Sequence, residues 1–508
     1  MATANRVIKN TAYLYGKTLI TMFTSLWTTR IILNALGAID FGVYNVVAGS
    51  IALLGFLNSA MANTIQRFLN HAQGENDLEK QKAVFNAGII FHGIIAIASS
   101  LFLLIFMIFL FDGILNIPAE RINAAKVAYL SLVASTFFTI VGVPYDSALN
   151  AHEDMLYYSV VGTIESLLRL GIAFLLMYTS YDKLEVYAIL MALVPILSIL
   201  VRRFYCIRRY EECNFSPRRF YDKKIAREIL TYSGWNLAGT TSSVLGNHGN
   251  NILLNHYFGA ALNTVAGIAN QLQGMLMVLS TGMMKALNPV IFKSEGEGNI
   301  DRMIQLAYKG CKYSYFLLGL LAFPMLYETQ ILLKLWLKDV PQWAIFFVRL
   351  QLIRALLEQL AAPLERSLQA VGHIKEINCC SIVYNLIPIV ILSFLYSKGF
   401  LPYWHFVVSI SVMVIIPCII KIFLCNRYCH LKASDYFNNV LLPSIGVSIL
   451  TTLLWLPFRL SFDEGVLRLL LSCGISVFSF LLFTYMFMSD VEKKTMKGLI
   501  LKYCNSRI

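Results

Sequence analysis

Ten of the 42 basic residues lie inside or at the edges of long apolar stretches: Lys17, Arg30, Lys126, Arg169, Lys285, Lys312, Arg349, Arg354, Lys421 and Arg468. A charge deep in an apolar layer is costly, so it tends to face a partner or a wet cavity. Near a helix end the simpler reading is snorkelling to the interface, and that is the expectation for Lys126, Lys312, Lys421 and Arg468. Arg30 and Lys285 have no acid within one helical turn. Arg354 shares a helix face with Glu358 and Glu365, which makes a neutralised structural arginine an open alternative there. Glu165 precedes Arg169 by four residues, the order favoured for an intrahelical ion pair.

Polar residues align beside these cations. At 100° per residue, Asn263, Gly267, Asn270, Gly274, Met277, Thr281, Lys285 and Asn288 fall within about 80° of one another. A second stripe runs through Asn236, Thr240, Ser243, Asn247, Asn250 and Asn251. Such stripes either pack helices tightly or line a hydrated cleft. With unpaired cations beside them, the cleft reading predicts an anionic cargo, because arginine grips phosphate bidentately and stays charged. A polyprenyl-diphosphate glycolipid fits: diphosphate on Arg30, Lys285 and Arg354, sugars along Asn236, Asn247, Asn251, Asn263 and Asn270, lipid tail in the bilayer. An inside-negative potential would drive such an anion outward, by about 2.3 kcal/mol per charge per 100 mV.

Two carboxylates stand apart. Asp146 and Glu365 each follow a proline by two residues near a helix end. They read either as capping or salt-bridge groups, or as a gate or ion-coupling pair drawing on a proton or sodium gradient. Cys425, Cys429 and His430 lack a fourth ligand, so no metal site is expected. The ten cysteines lie in apolar segments or in loops assigned to the inside, and no disulfide framework is implied. No cofactor is expected.

The elements that must carry these residues are membrane helices. Of 508 residues 57% are hydrophobic and 14% charged, whereas soluble domains average roughly 25% charged. Stretches of about 20 apolar residues fall near 13–36, 43–65, 83–111, 123–149, 156–178, 184–204, 229–257, 262–288, 306–332, 343–365, 378–397, 404–425, 437–458 and 466–488, fourteen in all. With both termini inside, the inside segments hold 26 basic residues and the outside loops six. That asymmetry sets the orientation and accounts for most of the +13 net charge without nucleic acid. The outside loops are too short for a catalytic domain, so an enzyme is not expected.

The sequence repeats itself. Gly74-Glu75-Asn76-Asp77-Leu78-Glu79-Lys80 matches Gly296-Glu297-Gly298-Asn299-Ile300-Asp301-Arg302 at an offset of 222. Ile31-Ile32-Leu33-Asn34 matches Ile252-Leu253-Leu254-Asn255 at 221, and Pro144, Asp146, Leu149, Asn150 and Ala151 match Pro363, Glu365, Leu368, Gln369 and Ala370 at 219. Six spans per period give both copies one orientation, hence an expected pseudo-two-fold along the membrane normal. The predicted fold is an all-α polytopic membrane protein of about fourteen helices. Its expected parts are an N-terminal six-helix bundle (1–201), a basic cytoplasmic linker (202–227), a second six-helix bundle (228–430), and helices 13 and 14 with a cytoplasmic tail (431–508).

Thr29-Arg30, Leu36-Gly37 and Asp40-Phe41-Gly42-Val43-Tyr44 resemble the first-helix signature of polysaccharide flippases in the multidrug/oligosaccharidyl-lipid/polysaccharide (MOP) superfamily. Trp235-Asn236-Leu237, Asn250 to Asn255, Phe258-Gly259, Gly267-Ile268-Ala269-Asn270-Gln271, Asn288-Pro289 and Trp336-Leu337 fit the same group, over roughly residues 1–430. The resemblance implies a Wzx-type flippase for O-antigen or capsule units, with two bundles in a V around a cationic cavity in which Arg30 is the first-helix arginine. It implies a bacterial inner-membrane protein that moves a polyprenyl-diphosphate-linked oligosaccharide to the outer leaflet. Its partners would be that glycolipid, the bilayer and other polysaccharide-assembly proteins. The competing expectation is a cation-coupled multidrug/toxin extruder of the MATE type, which shares the architecture.

Overall fold

With no water in a bilayer core to satisfy backbone N–H and C=O groups, a chain this apolar must close its hydrogen bonds inside helices. A computed structural model describes residues 2–52, 55–111, 117–337, 340–462, 465–490 and 492–494, and none of these is in a strand. The protein is a multi-pass membrane protein. Ten helices among the described residues are long and apolar enough to cross a bilayer, or eleven if the pair Ile300–Tyr327 and Thr329–Trp336, bent by 82°, counts as one span. Three of the fourteen predicted spans do not meet that standard, each for a local reason. The stretch 229–257 is diluted by its asparagines and serines. The stretch 343–365 holds Arg349, Arg354, Glu358 and Glu365 and breaks between Gln359 and Ala362. The stretch 43–65 includes residues 53 and 54, outside those described.

The chain divides into two compact units, Ile8–Leu237 and Ala238 onward, the start of α1 as far as Val7 being grouped with the latter. The first is built from α1 (Ala2–Ala52), α2 (Gly55–Gly74), α3 (Leu78–Phe109), α4 (Ile122–Ala151), α5 (Met155–Leu175), α6 (Lys183–Arg209) and the short α7 (Pro217–Phe220). Side-chain caps begin three of these helices: Asp77 accepts from the Lys80 N–H, Asp154 from Tyr157, and Asp182 from Leu184 and Glu185. Val47, Leu103, Tyr129, Leu176 and Leu184 are buried together at the core, where the Tyr129 hydroxyl donates to the Leu103 carbonyl at 2.8 Å. The stretch predicted as a linker continues α6 for two turns and then packs back on its own unit. Asn86 donates to the Asn214 carbonyl (3.0 Å) and accepts from the Ser216 N–H (2.8 Å).

The second unit takes in most of α8 (Lys223–Gly296), then α9 (Ile300–Tyr327), α10 (Thr329–Leu337), α11 (Ala344–Gln359), α12 (Ala362–Val371), α13 (Ile374–Ser397), α14 (Trp404–Ile410), α15 (Ile416–Cys429), α16 (Ala433–Tyr436), α17 (Leu442–Ser461) and α18 (Val466–Met486). The snorkelling expectation fails here for three of its four residues. Lys312 on α9 is buried against Glu492 (2.7 Å), Arg468 on α18 meets Glu328 at 3.1 Å, and Lys421 on α15 meets Glu365 at 2.8 Å. Neutralisation by a carboxylate on another segment replaces escape to the interface. Lys126 alone of the four is exposed, over the Phe111 ring.

The repeat in the sequence recurs in the geometry of the two units. Gly37 (φ 77°, ψ 170°) breaks α1, and Gly259 (φ 79°, ψ 179°), 222 residues later, breaks α8 in the same conformation. The Lys80–Glu75 pair recurs as Arg302–Glu297, and the Asp77 cap as Asn299. Arg202 on α6 binds Asp146 on α4 through Nη1 (2.7 and 2.8 Å), and Lys421 binds Glu365, both partners displaced by 219.

Arg121 holds the opposite end of the first unit together. Its guanidinium forks onto Asp40, just past the Gly37 break (both bonds 2.6 Å), and onto Asp182, the cap of α6 (2.6 and 3.1 Å). Hydrogen bonding from Arg121 holds the Asp182 carboxyl below its usual 3.8. A carboxyl depressed on folding adds stability above its unfolded pKa and gives it up as pH falls through the folded value. Asp182→Asn should therefore lower the melting temperature at pH 5–7 by an amount worth no more than about 1 kcal/mol for so open a pair. The gap to the parent should begin to narrow below about pH 4 and close once the pH lies below the folded value. A gap that does not narrow at all on acidification would refute the linkage.

Candidate functional site

The second unit encloses a cavity of about 460 Å³, within the ~300–1,000 Å³ usual for small-molecule sites. Four helical segments supply its wall. Before the Gly259 break, α8 presents Ser243, Asn247, Asn250 and Asn251, at the i, i+4, i+7, i+8 spacing of one helix face. After the break it presents Ala266, Ala269, Asn270 and Gln273. Phe347, Gln351, Arg354 and Glu358 come from α11, and His405 and Phe406 from α14.

The first half of α8 packs closely on α13 through glycines that adjoin its amide face, Gly239 and Gly246 lying one turn before Ser243 and Asn250. A Cβ at Gly239, Gly246 or Gly249 would come within 2.0 Å of Asn378 Oδ1, 2.5 Å of the Asn385 carbonyl oxygen and 2.5 Å of Ile389 Cδ1. The small residues thus let α13 approach closely, while the asparagines turn to the cavity. Close packing and a polar cavity wall thus occupy adjoining faces of one helix.

Amide bonds organise the wall. Gln351 Nε2 donates to Asn270 Oδ1 (2.9 Å) and to Gln273 Oε1 (2.5 Å), joining α11 to α8. Arg354 Nε donates to Glu358 Oε1 at 2.8 Å, one turn along the same helix. The predicted diphosphate-gripping cation is therefore charge-compensated, the alternative the sequence left open. His405 is buried and stacks on Phe347, and its Nδ1, like the Oδ1 of buried Asn250, has no hydrogen-bond partner among the described residues. A buried polar atom without a bond is costly, so these atoms are primed for water or a cargo hydroxyl.

Of the residues singled out in the sequence, Asn247, Asn251, Asn270 and Arg354 come together here. The side chain of Asn263 lies outside those described. Asn236 belongs to the first unit and is half-buried. Lys285 is half-buried and engaged in a contact of its own, about 22 Å further along α8 than Asn270 at 1.5 Å per residue. Arg30, on α1 in the first unit, is exposed and forms no ion pair with a described residue. The Glu165/Arg169 pair does not form: Glu165 turns instead to Arg202 and Ser198. Arg169 is left within electrostatic reach of the Tyr44/Tyr187 ring pair. Asp146 and Glu365 are each bound to a cation within their own unit. His248, Gln273, Gln351, Glu358 and His405 also line the wall without having been chosen as binding residues. The i, i+4, i+7 spacing of Phe347, Gln351 and Arg354 was the available signal.

A family model described as polysaccharide biosynthesis protein matches residues 7–295. No curated protein sequence matches the chain. Among solved structures, a MATE transporter in its bent conformation superposes with a TM-score of 0.73 at 14% identity, covering 84% of this chain and 96% of that one. A MOP-superfamily transporter from Pyrococcus furiosus Vc1, whose binding pocket is described as reversed in polarity, gives 0.72 at 15% identity, over 85% and 96%. An outward-facing multidrug-resistance MATE transporter gives 0.69 at 15%, over 83% and 96%. At such identities the likeness is one of fold.

Proposed function

Because the chain belongs to the polysaccharide biosynthesis protein family, a family of MOP-superfamily membrane transporters, we propose that it flips a polyprenyl-diphosphate-linked oligosaccharide from the cytoplasmic to the outer leaflet. The setting is polysaccharide assembly at a bacterial inner membrane, with both termini cytoplasmic, other assembly proteins alongside, and alternating access as the cycle. The observation that carries this reading is the amide-lined cavity, where Arg354, the one Lys or Arg among its described lining residues, is already bound to Glu358. Carboxamides offer paired donors and acceptors that match sugar hydroxyls, and the Phe347, His405 and Phe406 rings add apolar faces.

The repeat supports a division of labour. Asn251, in the cavity wall, corresponds at the 221 offset to Arg30 in the first unit. One copy of this helix position offers an amide suited to sugar, the other an exposed cation suited to phosphate. Transport needs no bond chemistry, and no residue is assigned a catalytic role.

The test is leaflet exchange of a labelled polyprenyl-diphosphate oligosaccharide in proteoliposomes. Arg30→Ala should slow exchange roughly 10–100-fold, the worth of a charge-assisted bond. Asn270→Ala with Gln351→Ala should slow a long-glycan cargo severalfold more than a monosaccharide-linked one. Full exchange by Arg30→Ala, or none by the parent, would defeat the proposal. Proton or sodium coupling is tested in the same vesicles with Asp146→Asn and Glu365→Gln: gradient dependence left unchanged removes these carboxylates from coupling. The MATE neighbours motivate one rival, extrusion of organic cations. A cavity carboxylate held by Arg354 suits such cargo poorly, and export of a fluorescent cation without glycolipid exchange would favour that rival.

A further inference from the structure

Outside the cavity, the first unit carries a groove of about 560 Å³ along α5 and α6, where α6 ends in Arg208 and Arg209. Its floor is a stacked pair, Tyr157 on Tyr205, with ring centroids 3.7 Å apart and a Tyr157 hydroxyl bond to the Val201 carbonyl at 3.3 Å. Leu200, Val201 and Phe204 line it and are about half exposed. Both arginines stand exposed at its mouth, and the Arg208 guanidinium lies 4.0 Å from the centre of the Phe204 ring.

These arginines differ from the five cations held in interhelix ion pairs. Arg121, Arg202, Lys312, Lys421 and Arg468 are each bound to a carboxylate, whereas neither Arg208 nor Arg209 pairs with a described acid. Asp154, the carboxylate against Tyr205, is taken by the Tyr205 and Tyr210 hydroxyls at 2.5 and 3.2 Å. The negative end of α6 favours a cation in its last turn, but that preference requires no apolar channel leading to it. Leu200 lies about 12 Å along the helix from Arg208. A phosphate at the arginines would send the first carbons of its chain down the groove.

The geometry points to a binding site for one anionic glycerophospholipid, with its phosphate between Arg208 and Arg209 and an acyl chain over the Tyr157/Tyr205 stack. Basic pockets between membrane helices hold anionic headgroups by this charge complementarity. The inference stands apart from the glycolipid proposal, since the groove shares no residue with the cavity.

Native mass spectrometry of the full chain in phosphatidylcholine nanodiscs doped with phosphatidylglycerol tests it. One phosphatidylglycerol should stay bound to the parent, and Arg208→Gln/Arg209→Gln should weaken its retention roughly 25-fold. Arg218→Gln/Arg219→Gln removes the same charge from α7 and should retain the lipid. Equal loss in both double variants would reduce the effect to general surface charge and overturn the site. Retention of polyprenyl phosphate in preference to phosphatidylglycerol would overturn it too, by handing the groove to the cargo lipid. Folding of each variant is checked by its melting temperature in phosphatidylcholine alone.

Discussion

Arg202→Met should unfold at markedly lower temperature than the parent, with a loss of about 3 kcal/mol, the low end of the ~3–5 expected for stranding a buried charge. One guanidinium answers two carboxylates on two helices: Nη1 binds both oxygens of Asp146, while Nη2 binds Glu165 and Ser198. Arg202 is mostly buried, and Asp146 is open enough for water to soften the loss. Removing the cation leaves Asp146 and Glu165 facing each other across α4, α5 and α6. The triple variant Arg202→Met/Asp146→Asn/Glu165→Gln should regain most of the loss, because neutral partners require no counter-charge. Thermal unfolding in detergent reads both results. A triple variant as unstable as the single one would show that packing, not charge, holds α6. Lys421→Met should cost less, since Lys421 answers a single carboxylate among the described residues, that of Glu365.

The second large effect concerns the two helix breaks. Gly37 and Gly259 sit at φ near +78° with ψ near 180°, a region that only glycine occupies comfortably, at a cost to other residues of about 1–3 kcal/mol each. A Cβ at either position meets nothing within 4 Å, so the whole effect of Gly37→Ala or Gly259→Ala is conformational. The double variant should lose about 2–6 kcal/mol, the two sites acting independently. Straightening is the alternative outcome: alanine favours helix over glycine by about 1 kcal/mol. A double variant more stable than the parent would mean that the breaks are soft hinges rather than fixed corners.

Much of this was legible in the residues, for identifiable reasons. Long apolar runs announce helices because a bilayer leaves the backbone no other partner. The offsets of 219–222 announced two copies of one helical unit, and the breaks at Gly37 and Gly259 fall at the same spacing. Asn247, Asn251 and Asn270 were found by helical spacing because a helix fixes which side chains share a face. What spacing does not contain is the partner across space. Glu165 had an arginine at the favoured i+4 position and took one from α6 instead. Glu328 and Arg468 meet across 140 residues. Gln351 became visible as a wall residue only once α11 lay against α8. Snorkelling was the wrong expectation for Lys312, Lys421 and Arg468 because the interface they were to reach is replaced by carboxylates on neighbouring segments.

One of those contacts bears on descent. Glu328 and Lys312 on or beside α9 form their ion pairs among the described residues with Arg468 and Glu492, which follow the second copy of the repeat. Clipping the chain near residue 430 would strand an anion and a cation among apolar side chains. A twelve-helix relative without this tail is therefore expected to carry uncharged residues at the positions of Lys312 and Glu328. Those two sites are where a comparison of long and short relatives should show coordinated substitution.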